Sequence, residues 1–475
     1  MRYPLAAAIA FVLLLEAGAL HAREANATLP VPPSGVIGVT QQQLDPEFWV
    51  RKASQPDAIV LSADAIAAQN AKLLKIDPTM HDLHALPATL DQAQVLAWIN
   101  GISRRPKGSL FDVDGKPVPA ATLDALSADL ALDRVPKQQA TRYGMVVRRA
   151  DLRAFPTALR VFSSKGDTDI DRFQESAEFP GTPIVIAHTS QDGQWLFVVS
   201  PRYAAWMARE DVAEGTAAQV LGYVDKAPYR VITGATERTV FTREQSGVSQ
   251  LQLDMGVRLP LATGLAPDQP VNGQSGYTSY PVELPLRAED GTLAFTPALL
   301  QHNTDTAPDY LPLTRANIIR QAFKFLGERY GWGHAYDARD CSGFTSDVYR
   351  SMGVQMPRNT SGQGVSPALD HTLLTAADDH AKRERAIDAL EVGDLIYIPG
   401  HVMMMIGRID GEPYVIHDTT GISYRESGGA MRRVKLNAVS VTPLRPLMFN
   451  GTQSYIDRMT SIVRIRQAHA EPQKN

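Results

Sequence analysis

The sequence predicts an α+β protein of several units, in which a helical N-terminal unit and two small all-β barrels precede a mixed C-terminal segment. Three observations carry this expectation. Apolar residues recur with helical spacing from Asp45 to about residue 135. From about 136 the pattern changes to short strands between turn signals, in two successive blocks. After about 308, helix signals come first and strand signals follow. At 475 residues and 44% hydrophobic, the chain can bury several ordinary cores.

Taken in order, residues 1–22 read as a signal peptide. Arg2 supplies one positive charge, an apolar run reaches Leu15, and small residues stand at Ala17, Gly18, Ala19 and Ala22. Cleavage is expected after Ala22, or after Ala25-Asn26-Ala27. Glu16 cuts the run short for a membrane span, so no span is expected in the mature chain, which should be periplasmic or secreted. Residues 23–135 form the helical unit, entered by a Pro-rich leader to about 45 and marked by runs at 58–74 and 121–130. His81 and His84 lie one helical turn apart, a spacing that can hold a metal, but no third ligand accompanies them and no metal or cofactor is expected.

The first barrel is placed at 136–215, with strand-like runs at 142–148, 159–162, 182–189 and 195–199 and a hairpin signal at Asp192-Gly193. The second, at 216–305, has its own turn at Asp290-Gly291. Residues 308–465 are mixed: Thr314 can cap a helix ending near Gly327, a second helix follows residue 341, and strands begin at Asp394, His401 and Pro413. Lys plus Arg number 47 against 51 acidic residues, so no basic surface argues for nucleic acid. A monomer is expected.

Cys341 is the only cysteine. Exported proteins usually place cysteines in disulfides, and this one has no partner in its own chain. It stands where a turn-rich stretch, 330–339, meets a helix carrying Phe344, Val348 and Met352 in register. At such a junction free N–H groups and the helix dipole favour the thiolate. The alternative is a small buried hydrophobe. A nucleophilic thiol needs a base, and the base needs a group to orient it. Of eleven histidines, His401 and His417 open and close adjacent strands of one hairpin. With a two-residue loop at Asp410-Gly411 their side chains fall on opposite faces. With a three-residue loop, Ile409-Asp410-Gly411, His417 opposes Met403 and shares a face with His401; this register is the one expected. Plain core histidines, or a Cys/His/His zinc site lacking a fourth ligand, are the competing readings. Met403, Met404 and Met405 read as packing.

Tyr330-Gly-Trp-Gly, Asp340-Cys-Ser-Gly, Met356-Pro-Arg-Asn-Thr-Ser-Gly-Gln363, Val392-Gly-Asp-Leu-Ile-Tyr, His401-Val and Ile416-His417, in this order, resemble the NlpC/P60 cell-wall peptidases. The two β blocks resemble bacterial SH3 (SH3b) domains, the first through Asp171–Ser176, Asp192–Trp195 and Tyr203–Trp206. The resemblance implies a papain-like catalytic fold, and cleavage of the amide between γ-D-glutamate and a diamino acid, usually meso-diaminopimelate, in peptidoglycan stem peptides. It further implies that Cys341 is nucleophile, His401 general base and His417 its orienting residue. Tyr330 would help bind the oxyanion, Asp340 and Ser342 would contact substrate beside the thiol, and Glu175 with Tyr203 would close the groove over a free L-alanine amine. Arg358 is expected as a groove cation across from Asp340, or else as a surface residue, and Asp418 as a turn or surface carboxylate. His334 departs from the second glycine common in the family. Other readings remain open: a recycling enzyme acting only on free stem peptides, a catalytically silent wall-binding protein, and acyl transfer to an acceptor other than water.

Overall fold

The structure, a computed structural model, describes residues 29–466. The expected signal peptide lies outside them. Helices α1 (Pro46–Lys52), α2 (Ala63–Ile76) and α3 (Gln92–Ile102) begin at Asp45, Ser62 and Asp91, each of which accepts a backbone N–H from the first turn. Helix α4 (Ala120–Asp129) follows. The buried apolar residues of this segment divide between two neighbours. Phe48, Trp49 and Ile66 join the core around the C-terminal sheet, while Leu90, Val95 and Ile99 join the core of the first β unit.

That β unit is a seven-stranded antiparallel sheet. Its strands are β1 (Arg142–Val146), β2 (Ala150–Arg153), β3 (Gln174–Glu178), β4 (Pro183–Thr189), β5 (Trp195–Val199), β6 (Ala204–Ala208) and β7 (Val212–Gly215), in the spatial order β7-β1-β4-β5-β6-β2-β3. Gly193 turns the chain between β4 and β5 with φ +74°, where the Asp-Gly signal placed a hairpin. The strand expected at 159–162 is reduced to one bridge, because Phe162 pairs with Phe111 of the N-terminal segment instead of a ladder neighbour. Trp206 is fully buried, and its indole N–H donates to Ser103 Oγ just beyond α3 at 3.0 Å.

Helix α5 (Ala217–Tyr223) leads to a second all-β region with its own apolar cluster of Ile232, Leu253, Leu259, Val282, Leu284 and Leu300. Its long hairpin, β8 (Ser279–Arg287) and β9 (Leu293–Gln301), turns at Asp290-Gly291.

The C-terminal region opens with α6 (Arg315–Phe323), capped by Thr314, and α7 (Cys341–Arg350). Both pack on a six-stranded antiparallel sheet of β10 (Asp370–Leu373), β11 (Leu395–Ile398), β12 (His401–Ile409), β13 (Glu412–Arg425), β14 (Met431–Pro443) and β15 (Ser461–Arg464), ordered β10-β15-β11-β12-β13-β14. Phe344 and Val348 of α7 meet Val402, Met404 and Ile416 in one apolar cluster.

The β12–β13 hairpin corrects the expected loop. Ile409 pairs directly with Glu412, and Asp410 and Gly411 both take positive φ (50° and 81°), so the turn has two residues. The parity that such a turn would spoil is restored by a bulge between Met405 and Gly407, where Ile406 is the extra residue. Met404 therefore opposes Ile416, and one step on, His417 faces Met403 as expected. A Cβ on Gly407 would come 2.8 Å from Trp49 Cε3, so the α1 indole occupies the space the glycine leaves.

The leader lies along the same sheet: Tyr414 and Tyr424 donate their hydroxyls to the carbonyls of Gly38 (2.8 Å) and Gly35 (2.9 Å). Among the described residues no helix is long and apolar enough to cross a membrane. Trp49 has no exposed surface and packs on Tyr414 at 5.2 Å between ring centroids. Trp49→Ala should cost about 3–5 kcal/mol, read as a lower urea midpoint for unfolding of the C-terminal region.

Candidate active site

Asp340 fixes where α7 begins. Its Oδ1 accepts the Gly343 N–H at 2.8 Å and the Ser342 hydroxyl at 3.1 Å, and its Oδ2 accepts the Gly333 N–H at 3.0 Å. The first residue of the helix is Cys341, at the end where backbone N–H groups are free. Gly343 is required by close approach, since a Cβ there would meet His334 Nε2 at 2.6 Å.

Arg358 completes the arrangement. It is 2% exposed and grips both Asp340 oxygens, at 3.1 and 2.8 Å, while also donating to Ser342 Oγ (3.0 Å) and to Ser176 Oγ of β3 (2.6 Å). This corrects the expectation of a carboxylate and a cation facing each other across a groove, and that of a surface arginine: the two charges are bonded to one another. The polar atoms of Asp340 and Ser342 are likewise taken up within the protein.

His401 opens β12, and its Nε2 lies 2.7 Å from His417 Nδ1. His417 is fully buried in β13, with Nε2 3.1 Å from Thr442 Oγ1 on β14. The hairpin bulge thus delivers two rings in contact and a hydroxyl behind them. Thr442 was not foreseen; its spacing from His417 carries no signal until strand pairing is known. The backbone N–H of Val402, next to His401, faces the Cys341 sulfur and favours its anion.

Electrostatics alter the expected state of the thiol. Burial, then the Asp340 carboxylate, push Cys341 well above the ordinary thiol range, and Val402 N–H and Arg358 oppose this only in part. The helix-terminal thiolate expected from sequence is therefore corrected to a neutral thiol. Burial also pulls His401 down to about 4, and burial together with His401 holds His417 well below the usual imidazole range. At neutral pH both rings are uncharged and can accept a proton.

Tyr330 is buried, and its hydroxyl is pushed up by burial and then by the Cys341, Asp340 and Asp418 charges. Tyr203 donates to Glu175 Oε2 at 2.7 Å, and Asn359 and Arg358 act on this pair from the loop after α7. Hydrogen bonds link Arg358, Asp340 and Ser342, and Tyr203 with Glu175, while the Val402 N–H joins the strand of His401 to Cys341. His334 adopts φ 64°, the left-handed geometry a glycine would take there, and both its ring nitrogens are buried without a partner. Asp418 is a correction: it lies fully buried in β13 with both oxygens unpartnered, and burial, Asp340 and Glu328 push its pKa well up. Among the described residues no cluster of three or more metal-ligating side chains forms, and His84 is exposed.

Residues 327–440 match the NlpC/P60 family, and residues 160–208 match an SH3 domain of SH3b1 type. A gamma-D-glutamyl-L-lysine dipeptidyl-peptidase of Bacillus cereus is 27% identical over 222 residues, covering 42% of this chain and 60% of that relative's length. The solved structure of an NlpC/P60 endopeptidase from Photobacterium damselae subsp. piscicida superposes with a TM-score of 0.71 at 15% identity, covering 92% of this chain and 98% of the other. That likeness is one of fold.

Three measurements check the charge state. NMR titration should find the His401 imidazole protonating near pH 4, against about 6.5 for a free histidine. Because unfolded imidazoles take up protons that the folded pair does not, stability should be full above about pH 6.5 and fall as the pH drops toward 4. Iodoacetamide should alkylate Cys341 at pH 7 no faster than a free thiol, with the rate still rising above pH 9.

Proposed function

We propose that this chain, which carries an NlpC/P60 domain behind an SH3b-type domain, is an exported cysteine endopeptidase that hydrolyses the γ-D-glutamyl–diamino acid amide of peptidoglycan stem peptides. The observation that carries the proposal is the His401–His417 contact at 2.7 Å, on the strand whose Val402 N–H faces the only sulfur nucleophile. The chain spans 60% of the curated relative, whose name describes a γ-D-glutamyl dipeptidyl-peptidase acting at lysine, and that likeness supports the bond proposed here.

With His401 Nδ1 as the base toward the thiol, the hydrogen-bond chain runs one way: His401 Nε2–H donates to His417 Nδ1, and His417 Nε2–H donates to Thr442 Oγ1. The lone pair of His401 then resides on Nδ1, the nitrogen left for the thiol. As sulfur attacks the scissile carbonyl, the thiol proton passes to Nδ1 and the carbonyl electrons move onto oxygen. The N–H groups at the start of α7 and the Tyr330 hydroxyl receive that oxyanion. The C–N bond breaks as His401 returns the proton to the departing amine. Water, deprotonated by the same nitrogen, attacks the thioester and releases the sulfur. Starting from a neutral thiol, proton transfer accompanies attack instead of preceding it.

A second reading keeps this chemistry but restricts the substrate to free stem peptides. It is favoured by Glu175 and Tyr203, a half-buried carboxylate and hydroxyl suited to an L-alanine ammonium. The second all-β region, 216–305, is proposed as another SH3b-type unit, and the protein as periplasmic or secreted and monomeric.

Mass spectrometry of muropeptides should show new γ-D-glutamyl termini with the wild type and none with Cys341→Ala. His417→Ala should lower kcat about 10²-fold, within the range of general-base contributions. Thr442→Val should lower kcat about tenfold with little change in KM, because a positioning hydroxyl acts through His417 and touches no substrate.

A further inference from the structure

A cavity of about 360 Å³ opens between the SH3b-type sheet and residues 335–337 of the C-terminal region. Small-molecule sites occupy roughly 300–1,000 Å³, so the volume suffices for one small ligand. On the sheet side Asp151 of β2 and Asp211 just before β7 line it with carboxylates, and Arg160 with a guanidinium. Trp195 and Tyr336 add aromatic surface, and Ala335 a methyl group.

The charge in this lining is only partly consumed within the protein. Asp151 is exposed, and Gln174 Nε2 engages one of its two oxygens, Oδ1, at 2.8 Å. Asp211 pairs with Arg148, which is not part of the lining. Burial nevertheless raises its pKa, and Glu210 and Asp151 add to the rise. A cation entering the cavity would offset that repulsion. Arg160 lies over the Tyr336 ring at 4.7 Å, and among the described residues its hydrogen bonds all come from Nη2, to the Tyr336 hydroxyl and the Thr168 carbonyl. A site with carboxylates, a guanidinium and an apolar surface between domains matches the ammonium, carboxylate and side chain of an aliphatic α-amino acid.

The opposite wall is strained. Gly333, His334, Tyr336 and Asp337 all take positive φ (59°, 64°, 61° and 56°), and three of them carry side chains, for which that region is unfavourable. The sheet holds this backbone in place. Arg149 donates to the carbonyls of His334 and Ala338, both at 2.8 Å, and the Tyr336 hydroxyl donates to the Thr168 carbonyl at 2.7 Å. Gln174 joins the two walls, because the Nε2 that serves Asp151 also donates to the Gly333 carbonyl at 2.9 Å. The Gly333 N–H in turn donates to Asp340 Oδ2, on the carboxylate that caps α7. A continuous hydrogen-bonded path therefore runs from the rim of the cavity to the helix that begins at Cys341.

We propose that this cavity is an effector site for an aliphatic α-amino acid, whose ammonium meets Asp151 and Asp211 and whose carboxylate meets Arg160, and that its occupancy steadies residues 333–337 and, through Gly333, the cap of the Cys341 helix. The proposal stands apart from the peptidase reading, since neither binding nor the steadying of the loop requires turnover.

The test is calorimetric titration of the full chain with L-leucine, with N-acetyl-L-leucine and L-leucinamide as controls that each lack one charge, followed by hydrogen exchange of the Gly333 amide. L-leucine should bind saturably at one site, and each control at least tenfold more weakly, the loss expected for one charge-assisted hydrogen bond. Asp151→Asn keeps the oxygen that Gln174 uses and should weaken L-leucine binding at least tenfold. Saturating L-leucine should slow Gly333 exchange at least threefold in wild type, and the same concentration should leave it unchanged in Asp151→Asn. Absence of saturable binding overturns the site. So does equal binding of L-leucine and both controls, or equal binding by wild type and Asp151→Asn. Saturable binding that leaves Gly333 exchange unchanged overturns the effector role.

Discussion

The buried pair of Asp340 and Arg358 is the constraint from which the site is built. One carboxylate caps the Cys341 helix, ties down the loop that carries Gly333, and is gripped on both oxygens by a guanidinium. That guanidinium reaches Ser176 of the SH3b-type sheet, so a single ion pair sets the helix terminus, the preceding loop and the placement of a second domain. Buried charges are expensive to desolvate, and such a pair is poor evidence of net stability. Here its role is positional. Removing either partner would strand the other charge away from water, at a cost of about 3–5 kcal/mol, and would release the cap of α7.

The same carboxylate works against an ionised sulfur. Asp340 stands beside Cys341 and opposes the effect of the helix end, so the protein keeps an exact helix terminus at the expense of an anionic thiol. Burial keeps both imidazoles uncharged. The resting site is thus neutral in all three groups. Such a site is less open to oxidation or alkylation than a standing thiolate.

Much of this was legible in the sequence, and the reasons it was or was not are physical. A lone cysteine at a turn-to-helix junction, the cap at Thr314 and the hairpin turn at Asp192-Gly193 are local signals, and they appear where expected. The facing of His401 and His417 was also foreseen, but through the wrong device. A bulge at Ile406 gives the same parity as a longer loop, and a bulge is stabilised by tertiary space, here the indole of Trp49, which no hairpin rule contains. Arg358 and Asp418 could not be placed, because their burial depends on partners 18 residues away or on packing against distant segments. The N-terminal segment reads as a helical unit from periodicity alone. That its apolar faces are shared out between two other cores is information held only in the contacts.

The leader has a consequence for how the chain reaches its native state. Tyr414 clasps Gly38 across 376 positions, and Tyr424 clasps Gly35 across 389. The short strand Ile59–Leu61 similarly pairs with Leu313 and Thr314. Contacts of such span must wait for nearly the whole polypeptide, so the C-terminal sheet is not completed as an autonomous module during synthesis. The cluster around Cys341, His401 and His417 would then be assembled only after the last strand has been delivered, a delay built into the order of the chain.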